Sequence, residues 1–245
     1  MQIEGRNPVR EALQSGQKLS KIYIAKGAHD LQTLVDTARE KEIPLRFCDR
    51  RELDRMSESG RHQGVIAIGE SFRYTPLDEV LQQAEQSGKP LFLLLLDGIE
   101  DPHNLGSILR VAECCGANAV VIPARRSVSV TPTVLKVSAG AAMHIPVVSV
   151  GNLNDTIRTL CDRFVRVLYA DMQGTCAAQC DMTGDLAIVI GSEGEGVKFL
   201  TRKLCDGAVS IPQYGKVNSL NASVACGMLC YEWMRQRPDA PKPRD

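Results

Sequence analysis

The chain has 245 residues, with 29 Lys and Arg balancing 29 Asp and Glu, 44% hydrophobic residues and 4% aromatics. At roughly 100–200 residues per domain this is one large domain or two small ones, and its 24% charge is that of a globular chain rather than a disordered or fibrous one. Neutrality excludes a protein that coats nucleic acid by bulk charge, because non-specific affinity comes from phosphate neutralisation; scarce aromatics also disfavour a base-stacking platform.

Met1 to Arg6 carries no apolar stretch, so no secretory signal is visible and a cytoplasmic protein is expected. Pro8 to Gln14 predicts a helix after Asn7, with Asn as N-cap and Pro at the first helical position. Ile22 to Ile24 reads as a strand, and Leu31 to Lys41 as a helix with Leu31, Leu34, Val35 and Ala38 at helical spacing. A strand from Ile43 to Phe47, a short helix from Arg51 to Met56 and a strand from Val65 to Ile68 complete a small α/β domain over residues 1–70. Residues 71–90 are polar, hold Pro76, Gly88 and Pro90, and are expected to be a linker containing one helix, Pro76 to Gln86.

The second domain, 91–245, is more strongly patterned. Leu91 to Leu96 is the longest apolar run, far short of the ~18–20 residues of a membrane span, and reads as a central parallel strand buried on both faces. A helix from Leu105 to Cys115 follows, then strands at Ala119 to Ile122, Pro146 to Val150, Val165 to Ala170, Leu186 to Ile190 and Ala208 to Ile211, with a helix from Leu153 to Arg163. The last helix, Leu220 to Arg235, is expected to bury a stripe of Leu220, Val224, Met228 and Trp233. The Pro-rich segment after Arg235 has little to bury. This pattern is a doubly wound parallel α/β sheet, whose ligands sit at the carboxyl ends of strands.

Nine cysteines without a signal segment read as reduced thiols, mostly small buried apolar groups. There is no C-x-x-C pair and only four scattered His, so no metal site is expected.

Three polar segments stand where strands end. They are Asp97 to Arg110, which contains N-L-G-S-I-L-R from Asn104; I-G-S-E-G-E-G from Ile190 to Gly196; and I-P-Q-Y-G-K-V-N-S-L-N-A-S-V-A from Ile211 to Ala225. Taken singly, each has a structural explanation: Asn104 as a helix cap, Arg110 as a solvated helix charge, Ser219 and Asn221 as the start of the last helix. The glycines of the second segment suggest a phosphate loop, but Glu193 and Glu195 would repel phosphate. Nor is there a G-x-G-x-x-G after Leu96, as a dinucleotide-dependent dehydrogenase would need.

In this order and at these positions, the three segments resemble the motifs of the SpoU-type (TrmH-like) RNA 2′-O-methyltransferases of the SPOUT superfamily. G-R-N-P-V-R-E-A-L (Gly5 to Leu13) and R-H-Q-G-V-I-A (Arg61 to Ala67) resemble that family's small L30e-like RNA substrate-binding domain. Among its members, the chain is similar to the bacterial 23S rRNA guanosine 2′-O-methyltransferases. The resemblance implies a deep trefoil knot in the C-terminal domain, a departure from the unknotted rule, and S-adenosylmethionine as cofactor, held at Gly191, Ile211 and Leu220. It implies Arg110 as the catalytic residue, assisted by Asn104, Glu193, Ser219 and Asn221. It also implies an RNA partner, large-subunit rRNA, with no DNA and no membrane, and a homodimer formed through the knotted domain. Val137 to Ala141 resembles a segment beside the cofactor whose small residues allow close packing. Arg50, Arg51, Arg55, Arg61, Arg125, Arg126 and Lys216 are candidates for a basic RNA-facing surface. The alternatives are a tRNA guanosine 2′-O-methyltransferase and an inactive RNA-binding homologue; the intact Asn104, Arg110, Glu193, Ser219 and Asn221 argue against the latter.

Overall fold

A computed structural model describes residues 2–14, 18–28, 30–69, 72–216 and 219–237. Val217 and Asn218 of the third motif, and the chain after Arg237, lie outside the described residues. The chain divides into two compact units between Arg73 and Tyr74.

The first unit runs β1 (Gln2–Glu4), α1 (Arg6–Gln14), β2 (Leu19–Ala25), α2 (Gln32–Glu40), β3 (Leu45–Cys48), α3 (Arg50–Met56) and β4 (Val65–Gly69). Its sheet has the order β1-β4-β2-β3, with β2 and β3 parallel and the other neighbours antiparallel. Val9, Ala12 and Leu13 of α1 and Leu34, Val35 and Ala38 of α2 cover one face, packing on Ile22, Ile24, Val65 and Ala67. Leu53 of α3 covers the other, against Ala25, Cys48 and Ile66. The Leu31–Leu34–Val35–Ala38 spacing is thus the buried one. β1 has no counterpart in the sequence pattern, because three residues with a single buried side chain, Ile3, carry no periodicity.

Glu4, at the end of β1, gathers the turn after α3. Its carboxylate accepts hydrogen bonds from the Ser57 hydroxyl (2.6 Å), the Glu58 amide (2.7 Å), the Ser59 hydroxyl and Gln2 (2.7 Å). Burial pushes the carboxyl up, but these bonds to its charged form outweigh that push and hold its pKa at about 2. A carboxylate lowered on folding stabilises the fold above its ordinary pKa, and that stability is lost as pH falls toward 2. Glu4→Gln is therefore expected to lower the melting temperature at pH 7, with the gap to wild type closing between pH 4.5 and 2 in a pH series of thermal melts.

The second unit runs α4 (Leu77–Ser87), β5 (Phe92–Asp97), α5 (Pro102–Cys115), β6 (Ala119–Pro123), α6 (Pro132–Val137), β7 (Val147–Val150), α7 (Leu153–Asp162), β8 (Arg166–Cys176), β9 (Leu186–Gly191), α8 (Phe199–Leu204), β10 (Gly207–Ser210) and α9 (Ala222–Arg235). Its sheet is parallel throughout, in the order β10-β8-β9-β5-β6-β7. β5 is buried along its whole length and alternates between faces. Leu93 and Leu95 pack with Val80, Leu81 and Ala84 of α4 and Leu153, Ile157 and Leu160 of α7, while Phe92 stacks on Trp233 of α9 with ring centroids 3.9 Å apart. Among the described residues, no helix is long and apolar enough to cross a membrane.

Two expectations need correction here. Residues 71–90 are not a linker: α4 belongs to the second unit, because Val80, Leu81 and Ala84 recur at helical spacing and enter its core. Nor does α9 bury the predicted stripe beyond Trp233: Leu220 precedes the helix and is half-buried. The helix buries Ala222, Cys226, Leu229, Cys230 and Trp233, whereas Val224 (50% exposed), Met228 (46%) and Tyr231 (59%) form a second apolar stripe on the opposite face. Of the cysteines, Cys48, Cys180, Cys226 and Cys230 are buried and all nine are free thiols. Burial pushes the half-buried Cys205 thiol up to about 12, which keeps it protonated and unreactive at neutral pH.

Candidate functional site

β5 and β9 are neighbours from which the strand order runs outward in both directions, and Asp97 pairs with Gly191 at their carboxyl ends. This is the switch point at which open α/β sheets bind ligands. The chain turns back on itself immediately after Gly191. Ser192 bridges Gly196, whose amide donates to the Ser192 carbonyl at 2.9 Å. A Cβ on Gly191 would lie 2.1 Å from the Gly196 carbonyl carbon and 2.3 Å from the Val197 nitrogen, so only glycine allows this fold-back.

Two anchors hold the turn. The buried carboxylate of Asp97 accepts from the Lys198 amide (2.9 Å) and Nζ (3.0 Å). Arg202 of α8 donates through Nε to the Val197 carbonyl (2.6 Å) and pairs with Asp171 (3.0 Å), on the part of β8 that extends past Ala170.

At the start of α5, Asp101 caps the helix by accepting from the His103 amide at 2.8 Å, with Pro102 at the first position. Asn104 is therefore not the cap. Its side chain is buried and donates through Nδ2 to Glu193 Oε1 (3.2 Å), while Oδ1 accepts from Asn221 Nδ2 (2.9 Å). Asn221 also donates to Glu193. Its Oδ1 caps α9, accepting from the Ser223 amide (3.0 Å) and hydroxyl (2.6 Å). One residue from each motif thus meets in a single hydrogen-bonded cluster. The tight packing expected around 137–141 falls on Gly106 of α5, where a Cβ would lie 2.6 Å from that of Val137.

Beside the cluster lies a cavity of about 390 Å³, within the range of roughly 300–1,000 Å³ of small-molecule sites. Gly191, Glu193, Ile211, Ser219 and Leu220 line it, together with the turn 192–196, β8 residues 170–173 and the inner side of α9. Among the described residues, its charged lining consists of three carboxylates, Asp171, Glu193 and Glu195, against the guanidinium of Arg202.

Arg110 is not in this constellation. It is exposed on α5, about 9 Å along the axis and ~120° around from Asn104. Its neighbour Val111 lies over Gly227 of α9, the helix that carries the exposed Val224–Met228–Tyr231 stripe. His103 and His144 are both exposed.

Residues 91–231 match the family described as SpoU rRNA Methylase, and residues 2–75 match the description RNA 2′-O ribose methyltransferase substrate binding. The chain belongs to the SpoU methylase family. It is 42% identical over 239 residues to the Bacillus subtilis protein YacO, named for the TrmH family of tRNA/rRNA methyltransferases, covering 96% of this chain and 95% of that one. A Staphylococcus aureus protein named for the same family is 41% identical over 242 residues, covering 97% and 96%. The SpoU methyltransferase AviRb of Streptomyces viridochromogenes, crystallised with AdoMet, superposes with a TM-score of 0.64 at 23% identity, covering 96% of this chain and 90% of that one. An AdoMet-bound rRNA methyltransferase of Sinorhizobium meliloti superposes with a TM-score of 0.61 at 22% identity, covering 96% and 86%. At that identity the likeness is one of fold, and it extends over both units. This SpoU chain is an RNA methyltransferase, with the parallel-sheet domain and the small N-terminal domain of that family.

Asp97, Asp171, Lys198 and Arg202 are the residues of this SpoU site that motif reading passes over. Asp97 carried a signal, as the one charge closing a wholly apolar run. Asp171 carried none: it follows an apolar run that reads as already ended at Ala170, and only pairing with β10 keeps β8 extended to Cys176.

Proposed function

We propose that the chain transfers a methyl group from S-adenosylmethionine to the ribose 2′-hydroxyl of a guanosine in 23S rRNA. The observation that carries the cofactor half is the charge of the cavity. Three carboxylates against one guanidinium attract a cationic sulfonium and repel the phosphates of a dinucleotide. The rest of the lining also fits: the close turn at Gly191 presents main-chain groups to the neutral edges of an adenosine, and Ile211 and Leu220 supply apolar contact.

When bound, this cofactor supplies an electrophilic methyl on a positively charged sulfur. Gly191, Ile211 and Leu220, which line the cavity with Ser219, would hold it. The Asn104–Glu193–Asn221 cluster fixes the three motif segments against one another. Arg110 would grip the phosphate beside the target ribose and polarise the 2′-hydroxyl. Arg110 would orient the hydroxyl rather than take its proton, which would pass to water as the oxygen is methylated. The trefoil knot belongs to this reading; its support is the family fold and the meeting of Ile211, Gln213, Ser219 and Leu220 with 170–173 and 190–196 in one cavity wall.

The reading also includes a homodimer, in the cytoplasm where ribosomal RNA is made. Its support is the exposed Val224–Met228–Tyr231 stripe, an apolar face that one chain leaves uncovered. A second copy on that stripe draws Arg110 toward the partner's cavity, which accounts for an arginine so far from the cluster of its own chain. Met228→Glu with Tyr231→Glu is expected to yield folded monomers in sedimentation at micromolar concentration, where a persisting dimer would exclude this face.

Mapping ribose methylation in rRNA and tRNA from a strain deleted for the gene tests the whole reading. Loss of one 2′-O-methylguanosine from 23S rRNA is expected. Loss of a tRNA mark would move the substrate, and an unchanged pattern with no S-adenosylmethionine uptake by the purified chain would sink the enzyme.

A further inference from the structure

The first unit holds a second cavity, of about 590 Å³, at the carboxyl ends of its parallel strands β2 and β3. Among the described residues its charged lining is Arg6, Arg10, Lys26 and Arg50 with the carboxylate of Asp30, and Asp49 lies 3.6 Å from Lys26. In a chain of zero net charge this concentration is local and made by the fold: the four cations come from α1, the turn after β2 and the start of α3, far apart in sequence. Of the arginines singled out by sequence, only Arg50 faces this cavity.

The wall opposite is rigidly built. Gln63 and Gly64 both adopt positive φ, +51° and +83°, the first a conformation that a side chain disfavours. Three contacts hold the pair there. The Gly64 amide donates to Nδ1 of the buried His62 (3.1 Å), whose Nε2 faces Asp54 at 2.8 Å. Gln63 accepts from Arg6 twice, at its side-chain oxygen from the amide (3.1 Å) and at its carbonyl from Nε (3.3 Å). The result pins Arg6 at the cavity edge, 3.7 Å from Asp30, while Arg10 donates to Asn7 (3.2 Å) and Lys26 lies 3.6 Å from Asp49, exposed contacts that an entering phosphate can displace.

We infer that this cavity is the RNA grip of the first unit, taking consecutive backbone phosphates of the substrate strand between Arg10, Lys26 and Arg50. The inference rests on the RNA-methyltransferase reading and adds to it the place of contact. A fixed cavity with cations on three sides positions a strand without reading its bases, as phosphate contacts do.

The test uses the full chain and protein-free 23S rRNA. Arg10→Ala with Arg50→Ala is expected to weaken RNA binding by on the order of tenfold and to flatten the dependence of log affinity on log salt by about one unit per lost contact. KM for RNA should rise with kcat nearly unchanged, and S-adenosylmethionine affinity should stay at the wild-type value. Lys26→Ala with Arg50→Ala, which leaves α1 intact, should behave alike. Arg39→Ala with Lys41→Ala, exposed at the end of α2 and outside the cavity, should match wild type. Wild-type RNA affinity and salt slope in both cavity pairs would overturn the inference even while methylation persists. So would a cavity-dependent thermal shift with inorganic phosphate that leaves RNA binding untouched. A wild-type chain that takes up no S-adenosylmethionine would overturn the enzyme reading instead, and the inference with it.

Discussion

Arg110→Ala is expected to cut methyl transfer by on the order of 10²–10³ while leaving S-adenosylmethionine affinity within about twofold. The split follows from geometry. Arg110 is exposed and lies outside the cavity lining, so its removal takes nothing from the cofactor's surroundings. On the proposed reading, what is lost is the cation that orients the 2′-hydroxyl. Calorimetry with the cofactor and single-turnover kinetics with RNA separate the two quantities; full turnover in the variant would remove Arg110 from the mechanism. If Arg110 serves the partner's cavity, Arg110→Ala and Glu193→Ala chains, each inactive alone, should recover about a quarter of wild-type activity when mixed, since half the dimers then hold one intact site of two. No recovery on mixing would place Arg110 and Glu193 in the same chain's site.

Gly191→Ala is expected to abolish cofactor binding, with an affinity loss of at least about 100-fold and a destabilisation of roughly 1–3 kcal/mol. The methyl group would lie 2.1 Å from the backbone carbon of Gly196. No side chain there can yield, since the obstacle is main chain held by the Ser192–Gly196 bridge, the Asp97–Lys198 pair and the Arg202–Val197 bond. The turn must open, and with it the wall that lines the cavity. Gly194→Ala is the matching control: a Cβ there meets nothing within 4 Å, so both affinity and melting temperature should hold. Equal losses in the two variants would mean that the turn tolerates no change at all, and that the collision at Gly191 is not the cause.

Most of the second unit was legible in sequence because each strand is an apolar run ended by polar or glycine residues, as at Leu91 to Asp97 and Leu186 to Gly191. The motif residues were legible for the same reason: they stand where those runs stop. Residues whose role depends on a distant partner were not. Asp97 meets Lys198 and Asp171 meets Arg202 only once β8, β9 and α8 are in place. The separation of Arg110 from Asn104 was concealed by their closeness in sequence. α9 was misread because both its faces are apolar. A helix that buries Cys226, Leu229 and Trp233 on one side and shows Val224, Met228 and Tyr231 on the other has no single stripe for periodicity to select. That ambiguity is itself informative, since a helix apolar on both sides has more than one neighbour to satisfy.

The stack of Phe92 on Trp233 has a consequence for how the molecule is made. It joins the first strand of the large sheet to the last helix, residues more than half the chain apart. Closing so long a loop is slow compared with pairing neighbours. On the ribosome, Phe92 of β5 must wait for its stacking partner until α9 has emerged, whereas the N-terminal unit already has every strand it needs. The nascent protein would thus own a finished RNA grip before it owns a catalytic domain. Its one tryptophan is placed to report that last event, as a fluorescence change when α9 docks.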